Sequence, residues 1–479
     1  RDRYSLEIKF RHVFGTDEGS SVRRRTKVLT RVYFFLPYSF NIRPETFDEQ
    51  RFYQDIKLYV RFDTPKLSLD DVVDPDSELS PIRRIREKIE ASNSPGRVIY
   101  EIKLLGAIYK SLLRDLTRDL KSSVGDAGSE AIEVYCERLD RLSDGAVEFR
   151  ETAKLVAPES ELGRAFRLVD EYIALTIAQY ATSAARYLKE EVGMRPACVV
   201  SRIRAQHDHL TDFGYRSGGA RRERRWLEEF VYRFRVLKHY CASVLFLSIR
   251  RKNQSTRVEH LLYAVAAGIA MAVATGVSFL STVRFGNLST ALFLVLVASY
   301  MVKDRLKDVM RAGFQRTLGR LFYDRRTVFS DMHLGVRLGV IKERVAFVRS
   351  TNLDQEVVEI RARSRFEQEV LQANPEAVLS YDKLFRLRGS RLLEIHNRIR
   401  GVADINILDV RHFLRYLTRQ RELVGLPDSE SGIKMIPVNR IYHLNLVLEC
   451  RADSEVVLQK VRLVVGTNGI RRVEHVGTA

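Results

Sequence analysis

Cysteine, tryptophan and several familiar motifs are scarce or missing in this chain of 479 residues. Its four cysteines, Cys136, Cys198, Cys241 and Cys450, lie far apart and form no CxxC. A disulfide framework is therefore not expected, and a reducing, cytosolic setting fits. No GxxxxGK[ST] phosphate loop occurs, and no GxGxxG opens a helix after a strand. No GxSxG elbow is present either. Ordinary nucleotide-driven and serine-hydrolase chemistry is thus unsupported. There is no fixed-period repeat and no low-complexity tract. The chain begins at Arg1, so a trimmed N-terminus is expected, and no signal peptide is visible.

Positive charge is abundant. Lys and Arg total 80 against 61 Asp and Glu, a formal charge of +19. The pI near 9.8 implies an acidic environment or partner: anionic lipid, nucleic acid or a phosphate-rich ligand. Hydrophobic residues make up 45% and the mean hydropathy is −0.20, as in a mostly water-exposed protein with a small membrane part. The length suits two to four domains.

Two uncharged runs stand out. Leu261–Val283 contains no charge, Arg284 interrupts, and Phe285–Val302 is again free of charge. Twenty helical residues cover about 30 Å, the thickness of a hydrocarbon core. The spacing predicts a transmembrane helical hairpin over 258–303, turning at Gly286 and Asn287. Arg250, Arg251, Lys252 and Arg257 precede it, and Lys303, Arg305, Lys307 and Arg311 follow it. With only Arg284 at the turn, this bias puts both flanks in the cytoplasm. The same eight residues are the candidates for anionic-lipid contact. Ala264, Gly268, Ala272 and Gly276 recur every four residues and form the candidate helix-packing face, either within the hairpin or between protomers. Residues 223–249 read as an amphipathic helix leading to the membrane, with a third segment near 236–249 as the alternative.

Elsewhere, residues 1–75 read as a β-rich domain: Tyr4–Val13, Lys27–Ile42 and Phe52–Phe62 are rich in alternating, aromatic or β-branched residues. An acidic linker, Asp70–Pro81, leads to a helical region that ends at 257. Its helices are predicted over Val98–Leu120, Glu130–Leu142 and Glu161–Glu191, with a break at Ser122–Ser129 and a loop at 211–220. Residues 304–479 read as a basic helix, then mixed elements, then strands over Ile441–Glu449, Val456–Val465 and Ile470–Val476. A hairpin turn is expected at Gly466–Gly469. The two β-rich ends are expected to meet in one domain.

Three short motifs carry possible chemistry. Ser330-Asp-Met-His-Leu-Gly335 resembles the first metal-binding motif of calcineurin-like metallophosphoesterases, but the GDxxD, GNHD and GHxH motifs which that chemistry requires do not follow. His333 then reads as an ordinary turn residue. His207, His209 and Asp212 offer nitrogen and oxygen ligands in a presumed loop, without a fourth ligand close by. Glu7-x-Lys9 resembles the ExExK signature of triphosphate-tunnel proteins, with Ser5 in place of the first Glu. Arg23, Arg24, Arg25, Lys27 and Arg31 on the following strand are what phosphate binding would need. The inserted helices and membrane hairpin fit that fold poorly.

The sequence therefore predicts an α+β cytosolic body with an inserted two-helix transmembrane hairpin. The expected function is a membrane-anchored scaffold or interaction protein at an anionic surface, in a bacterial inner membrane. A membrane-bound enzyme acting on a phosphate-bearing or lipid substrate is the alternative, and an oligomeric pore is the second. Anionic lipid and a protein partner or second copy are the expected partners. Catalytic residues, metal, cofactor and nucleic acid are not expected.

Overall fold

The computed structural model describes the whole chain except residues 1, 14–25, 92, 195, 219–222, 254, 286–289, 322, 333–334, 363–375, 390–398, 419–420, 429–431, 453–454 and 479. It is an α+β protein, 54% helical and 30% strand. Every strand pairing is antiparallel.

Alternation in the terminal segments produces the sheets. β1 (Ser5–Val13), β2 (Thr26–Pro37) and β3 (Ile56–Phe62) come first. β4 (Ser248–Asn253), β5 (Arg325–Ser330), β6 (Arg337–Val348), β7 (Glu376–Leu387) and β8 (Gly401–Asp409) follow. β9 (Arg421–Asp428), β10 (Gly432–Asn439), β11 (Tyr442–Ala452), β12 (Glu455–Gly466) and β13 (Gly469–Thr478) complete them. The main sheet has eight strands in the order β13-β12-β11-β2-β7-β6-β5-β4, and a smaller one runs β1-β8-β3. The ends of the chain meet, since β2 pairs with both β11 and β7. The β12–β13 turn needs Gly469, whose φ is 109°, a region closed to most side chains.

One face of the main sheet is dry. Val32, Phe34, Leu36, Leu379, Leu444 and Leu446 share a core with Leu6, Ile8 and Leu408 of the small sheet. Further along, Val28, Phe329, Ile341 and Phe385 pack against the helices. These include α3 (Pro81–Glu90), α4 (Pro95–Ala153), α5 (Glu161–Tyr187), α6 (Ala197–Asp212) and α7 (Arg224–Ala242). Three helical expectations are corrected. α4 continues through 122–129, where Gly128 alone leaves helical geometry with φ 53° and ψ −119°. Glycine absorbs that kink, so the helix is deflected there rather than ended. Part of the presumed linker is helix, α2 (Leu69–Val73), because Ser68 and Asp71 form a capping box. The presumed helix over 223–249 ends at Ala242, and β4 follows after one short turn. Leu247 donates its N–H to Val60 O at 2.9 Å, tying this crossing to β3.

The cysteine expectation is also corrected. Cys136 of α4 and Cys198 of α6 form a disulfide, with Cα atoms 6.3 Å apart and a sequence separation of 62. Helix packing supplied a proximity that sequence spacing concealed. Cys241 and Cys450 are free thiols.

Two helices leave the body. α8 (Ser255–Phe285) follows β4, and α9 (Thr290–Leu321) precedes β5. They run antiparallel: Ser299 Oγ donates to Ala274 O, and the Arg311 guanidinium lies 5.2 Å from the centre of the Tyr263 ring. Among the described residues one helix is long and apolar enough to cross a membrane, α8 over Leu261–Arg284. The expectation of a second equal span counted residues that end α8 or separate the helices. Only Thr290–Val302 is left as uncharged helix in α9, about 20 Å at 1.5 Å per residue. The antiparallel pairing sets Lys303 level with Ala270, so the charged part of α9 runs beside the lower half of α8.

Candidate anion-binding site

On the second face of the main sheet Tyr33, Phe35, Val378, Val447 and Leu458 pack with Val357 and Ile360, and the charged residues of that face fall into two groups. The first is balanced. Arg31 lies 3.6 Å from Asp354, 3.6 Å from Glu449 and 3.9 Å from Asp382. Arg344 pairs with Asp382, and Arg451 with both Asp354 and Glu449. Tyr33 donates its hydroxyl to Glu449 at 3.2 Å. Three guanidinium groups thus face three carboxylates.

The second group, nearer β4, is unbalanced. A cleft of about 560 Å³ is lined by Lys27, Arg326, Arg337, Lys342, Arg386 and Arg388, with Gly339, Val340 and Leu387 between them. Among the described residues no carboxylate lines it. Register explains how it forms. Lys27 pairs with Arg386 across β2 and β7, and Lys342 with Arg326 across β6 and β5. Paired residues in an antiparallel ladder project from the same face. Because Val340 also pairs with Arg386, both cation pairs share one surface. Like charges opposite one another destabilise a sheet unless something compensates.

The electrostatics agree. Partial burial pushes the Lys342 ammonium below its usual pKa, and the charges of Arg386 and Arg326 push it further. Burial, then Arg326 and Arg388, act on Arg337 in the same direction. The Arg326 Nε–H is buried with no hydrogen-bond partner among the described residues. A buried donor left this way costs about 1–3 kcal/mol, which an anionic acceptor would recover. Gly339 lets β6 approach β7 closely here. A Cβ at that position would fall 2.2 Å from the Phe329 ring and 2.4 Å from Arg386 O.

The residues singled out from sequence lie elsewhere, apart from Lys27. Glu7 and Lys9 are exposed on β1 of the small sheet, away from the cleft. Arg23, Arg24, Arg25 and His333 lie outside the described residues, as do Gly286 and Asn287. Asp331 sits in the β5–β6 turn, its N–H donating to Val336 O. His207 and His209 are on helix α6, not in a loop. Two residues apart on a helix, they project in nearly opposite directions. His209 Nε2 instead lies 2.8 Å from Asp170 Oδ2. Among the described residues no group of three His, Cys, Asp or Glu side chains is placed to hold a metal ion.

Arg250, Arg251 and Lys252 belong to β4, an edge strand, while Arg257 is in α8 and Lys303, Arg305, Lys307 and Arg311 in α9. Packing of α8 on α9 buries Ala266, Ala270 and Ala274. Ala264, Gly268, Ala272 and Gly276 are exposed, and no atom lies within 4 Å of a Cβ built on Gly268 or Gly276. They are offset by two residues, about 200° of helix rotation, from the stripe that faces α9. The packing role within the pair therefore belongs to the other alanines.

Arg326, Lys342 and Arg386 went unnoticed because each lies on a different strand, far apart in sequence, among charges that read as an ordinary solvated strand face. Their signal was a cation on the outer side of three alternating segments. A second surface was also missed. The hairpin β9–β10 is exposed along its length and displays Leu423, Leu426, Ile433 and Met435. Compared with known proteins, the chain matches no family model, no curated protein and no solved structure.

Proposed function

We propose that this protein is a membrane-anchored binding protein for a phosphate-bearing anion. The observation that carries this reading is the cleft of six cations, with no carboxylate among the described residues of its lining. Phosphate oxygens suit Arg and Lys donors because charge-assisted hydrogen bonds are about twice as strong as neutral ones.

For the anchor, the supporting observation is exposed apolar surface. Leu261, Phe279, Leu280, Val283, Phe293, Leu294 and Met301 are all more than half exposed. Such a surface is unfavourable in water and favourable in lipid. In this reading α8 and α9 cross a membrane as a hairpin, with the β body and the helical body on the same side. Arg284 at the tip reaches the far headgroups. Lys303, Arg305, Lys307 and Arg311 extend toward the near ones, which accommodates the short uncharged part of α9. Arg250, Arg251, Lys252 and Arg257 lie at the base of the helices and contact anionic lipid.

Calorimetry with inorganic pyrophosphate on the full chain in detergent tests the reading. Saturable binding that Arg326→Gln and Arg386→Gln both weaken is expected. Absence of binding at low salt would defeat it.

A second reading, a scaffold for a protein partner, is favoured by the β9–β10 hairpin. Isolated two-stranded sheets are marginal in water, so this exposed apolar hairpin gains stability on being covered. Deleting it should then remove a co-purifying protein while leaving pyrophosphate binding intact.

A further inference from the structure

The cations of the cleft are arranged in pairs. Lys27 is opposite Arg386, and Lys342 opposite Arg326. Arg337, opposite Ser330, and Arg388, whose N–H donates to Leu338 O at 2.9 Å, supply the third couple of cations without facing each other in the ladder, and the charges of Arg326 and Arg388 both act on Arg337. From β2 to β5 there are three strand spacings, about 14 Å at 4.8 Å each. One phosphoryl group cannot reach across that distance. Three can, each between two cations, as the bidentate or paired geometry of phosphate recognition prefers.

We propose that the cleft is a site for a compact ligand carrying three or more phosphoryl groups, one for each cation pair. The proposal rests on the anion-binding reading above and narrows it. Among the described residues a single ring, Tyr323, lies beside a cleft cation, 5.6 Å from the Lys342 ammonium, so the run of aromatic side chains on which single-stranded nucleic acid stacks is not seen there. The floor between the pairs is Gly339, Val340 and Leu387, which leaves room for phosphates but offers nothing to read a base. The same chemistry has two sources: a soluble oligophosphate, or a membrane lipid with a multiply phosphorylated headgroup. The second is spatially plausible because β4 and β5, the strands beside the cleft, lead directly into α8 and α9.

The stability of the empty site supplies an independent readout. Replacing Lys342 or Arg386 removes a like-charge contact, so Lys342→Gln and Arg386→Gln should melt at or above the parent temperature at low salt. Ordinary structural cations would show the opposite.

The deciding experiment titrates the full chain in detergent with orthophosphate, pyrophosphate and tripolyphosphate at fixed ionic strength. Affinity should rise at least tenfold at each step. Lys27→Gln, Lys342→Gln and Arg337→Gln should each reduce tripolyphosphate binding tenfold or more, and each should flatten the series. Equal affinity for pyrophosphate and tripolyphosphate would overturn the three-group site while leaving anion binding intact. No binding of any of the three would overturn both readings. For the source, the chain is placed in phosphatidylcholine nanodiscs with or without a bisphosphorylated phosphoinositide. Tripolyphosphate bound equally in both discs supports a soluble ligand. Binding blocked only by the phosphoinositide supports the lipid headgroup. Preference for a single-stranded oligonucleotide over tripolyphosphate would overturn the proposal.

Discussion

Between the two sheets, Lys383 is enclosed with Asp404 and Asn406. Its side chain is 1% exposed and that of Asp404 0%. The ammonium donates to both Asp404 oxygens at 2.9 Å and to Asn406 Oδ1 at 2.5 Å. Lys383→Met keeps most of the apolar stem and removes the charge. Asp404 is then a buried carboxylate with only the Asn406 amide nearby, and breaking one side of such a pair costs about 3–5 kcal/mol. The effect of pH gives a sharper signature. Burial already raises the Asp404 pKa, and Lys383 pulls it back. Without Lys383 the folded-state value rises further above the unfolded one. A folded value above the unfolded one means that the folded state binds the extra proton, so the stability of the variant falls as pH rises and recovers as pH drops. Its penalty should be smaller at pH 5 than at pH 8, changing by at most about 1.4 kcal/mol per pH unit. Replacing both partners, Lys383→Met with Asp404→Leu, should cost less than either single change. Urea unfolding of the detergent-solubilised chain, followed by circular dichroism, measures all three. A Lys383→Met penalty below about 1 kcal/mol that does not vary with pH would refute the reasoning.

Three further outcomes are expected. His12 is stacked on Phe385 with ring centres 3.9 Å apart, and burial lowers its pKa from 6.5 to about 4. Because the folded value is depressed, the neutral ring's contribution is complete above pH 6.5 and disappears as pH falls toward 4, about 3 kcal/mol in all; His12→Phe should flatten that part of the stability profile, and an unchanged slope would contradict it. The disulfide between Cys136 and Cys198 closes a loop of about 62 residues, which by loop-closure entropy stabilises by about 4 kcal/mol; thiol titration of the unreduced, unfolded chain should find two free thiols, and four would remove the bond. Thr282→Cys, near the end of α8, should react with an impermeant maleimide only from the side opposite the termini, whereas labelling from the same side would exclude a crossing hairpin.

Local chemistry made much of this fold readable in advance. β1, β3 and β11 alternate because one side of each faces the core, and the glycines around Thr467 and Asn468 mark a tight turn. The apolar stretch of α8 was visible because nothing charged interrupts Leu261–Val283. β4 was hidden because Arg250, Arg251 and Lys252 occupy an edge strand that follows an amphipathic helix, so helical periodicity appeared to continue. The cleft was hidden more deeply. Its residues come from positions 27, 326–342 and 386–388, and only pairing between distant strands brings them together. Lys27 drew notice for the run Arg23–Arg25 before it, whereas the shorter basic groups Arg325–Arg326 and Arg386–Arg388 read as ordinary strand-face charges. The same distance concealed the link between Cys136 and Cys198.

The way the apolar helices are attached makes them separable from the rest. Asn253 and Arg325 face each other across β4 and β5, so the chain leaves the sheet and returns to it one strand away. Excising 255–323 would leave residue 254 and Asp324 as a two-residue connection, the commonest length for a β-hairpin. Asp324 would keep its role, since it accepts from the Tyr53 hydroxyl at 2.9 Å and Val345 N–H at 2.8 Å. The apolar helical pair is thus a cassette seated in a hairpin loop, and on the proposed reading its removal should yield a water-soluble body that still carries the basic cleft.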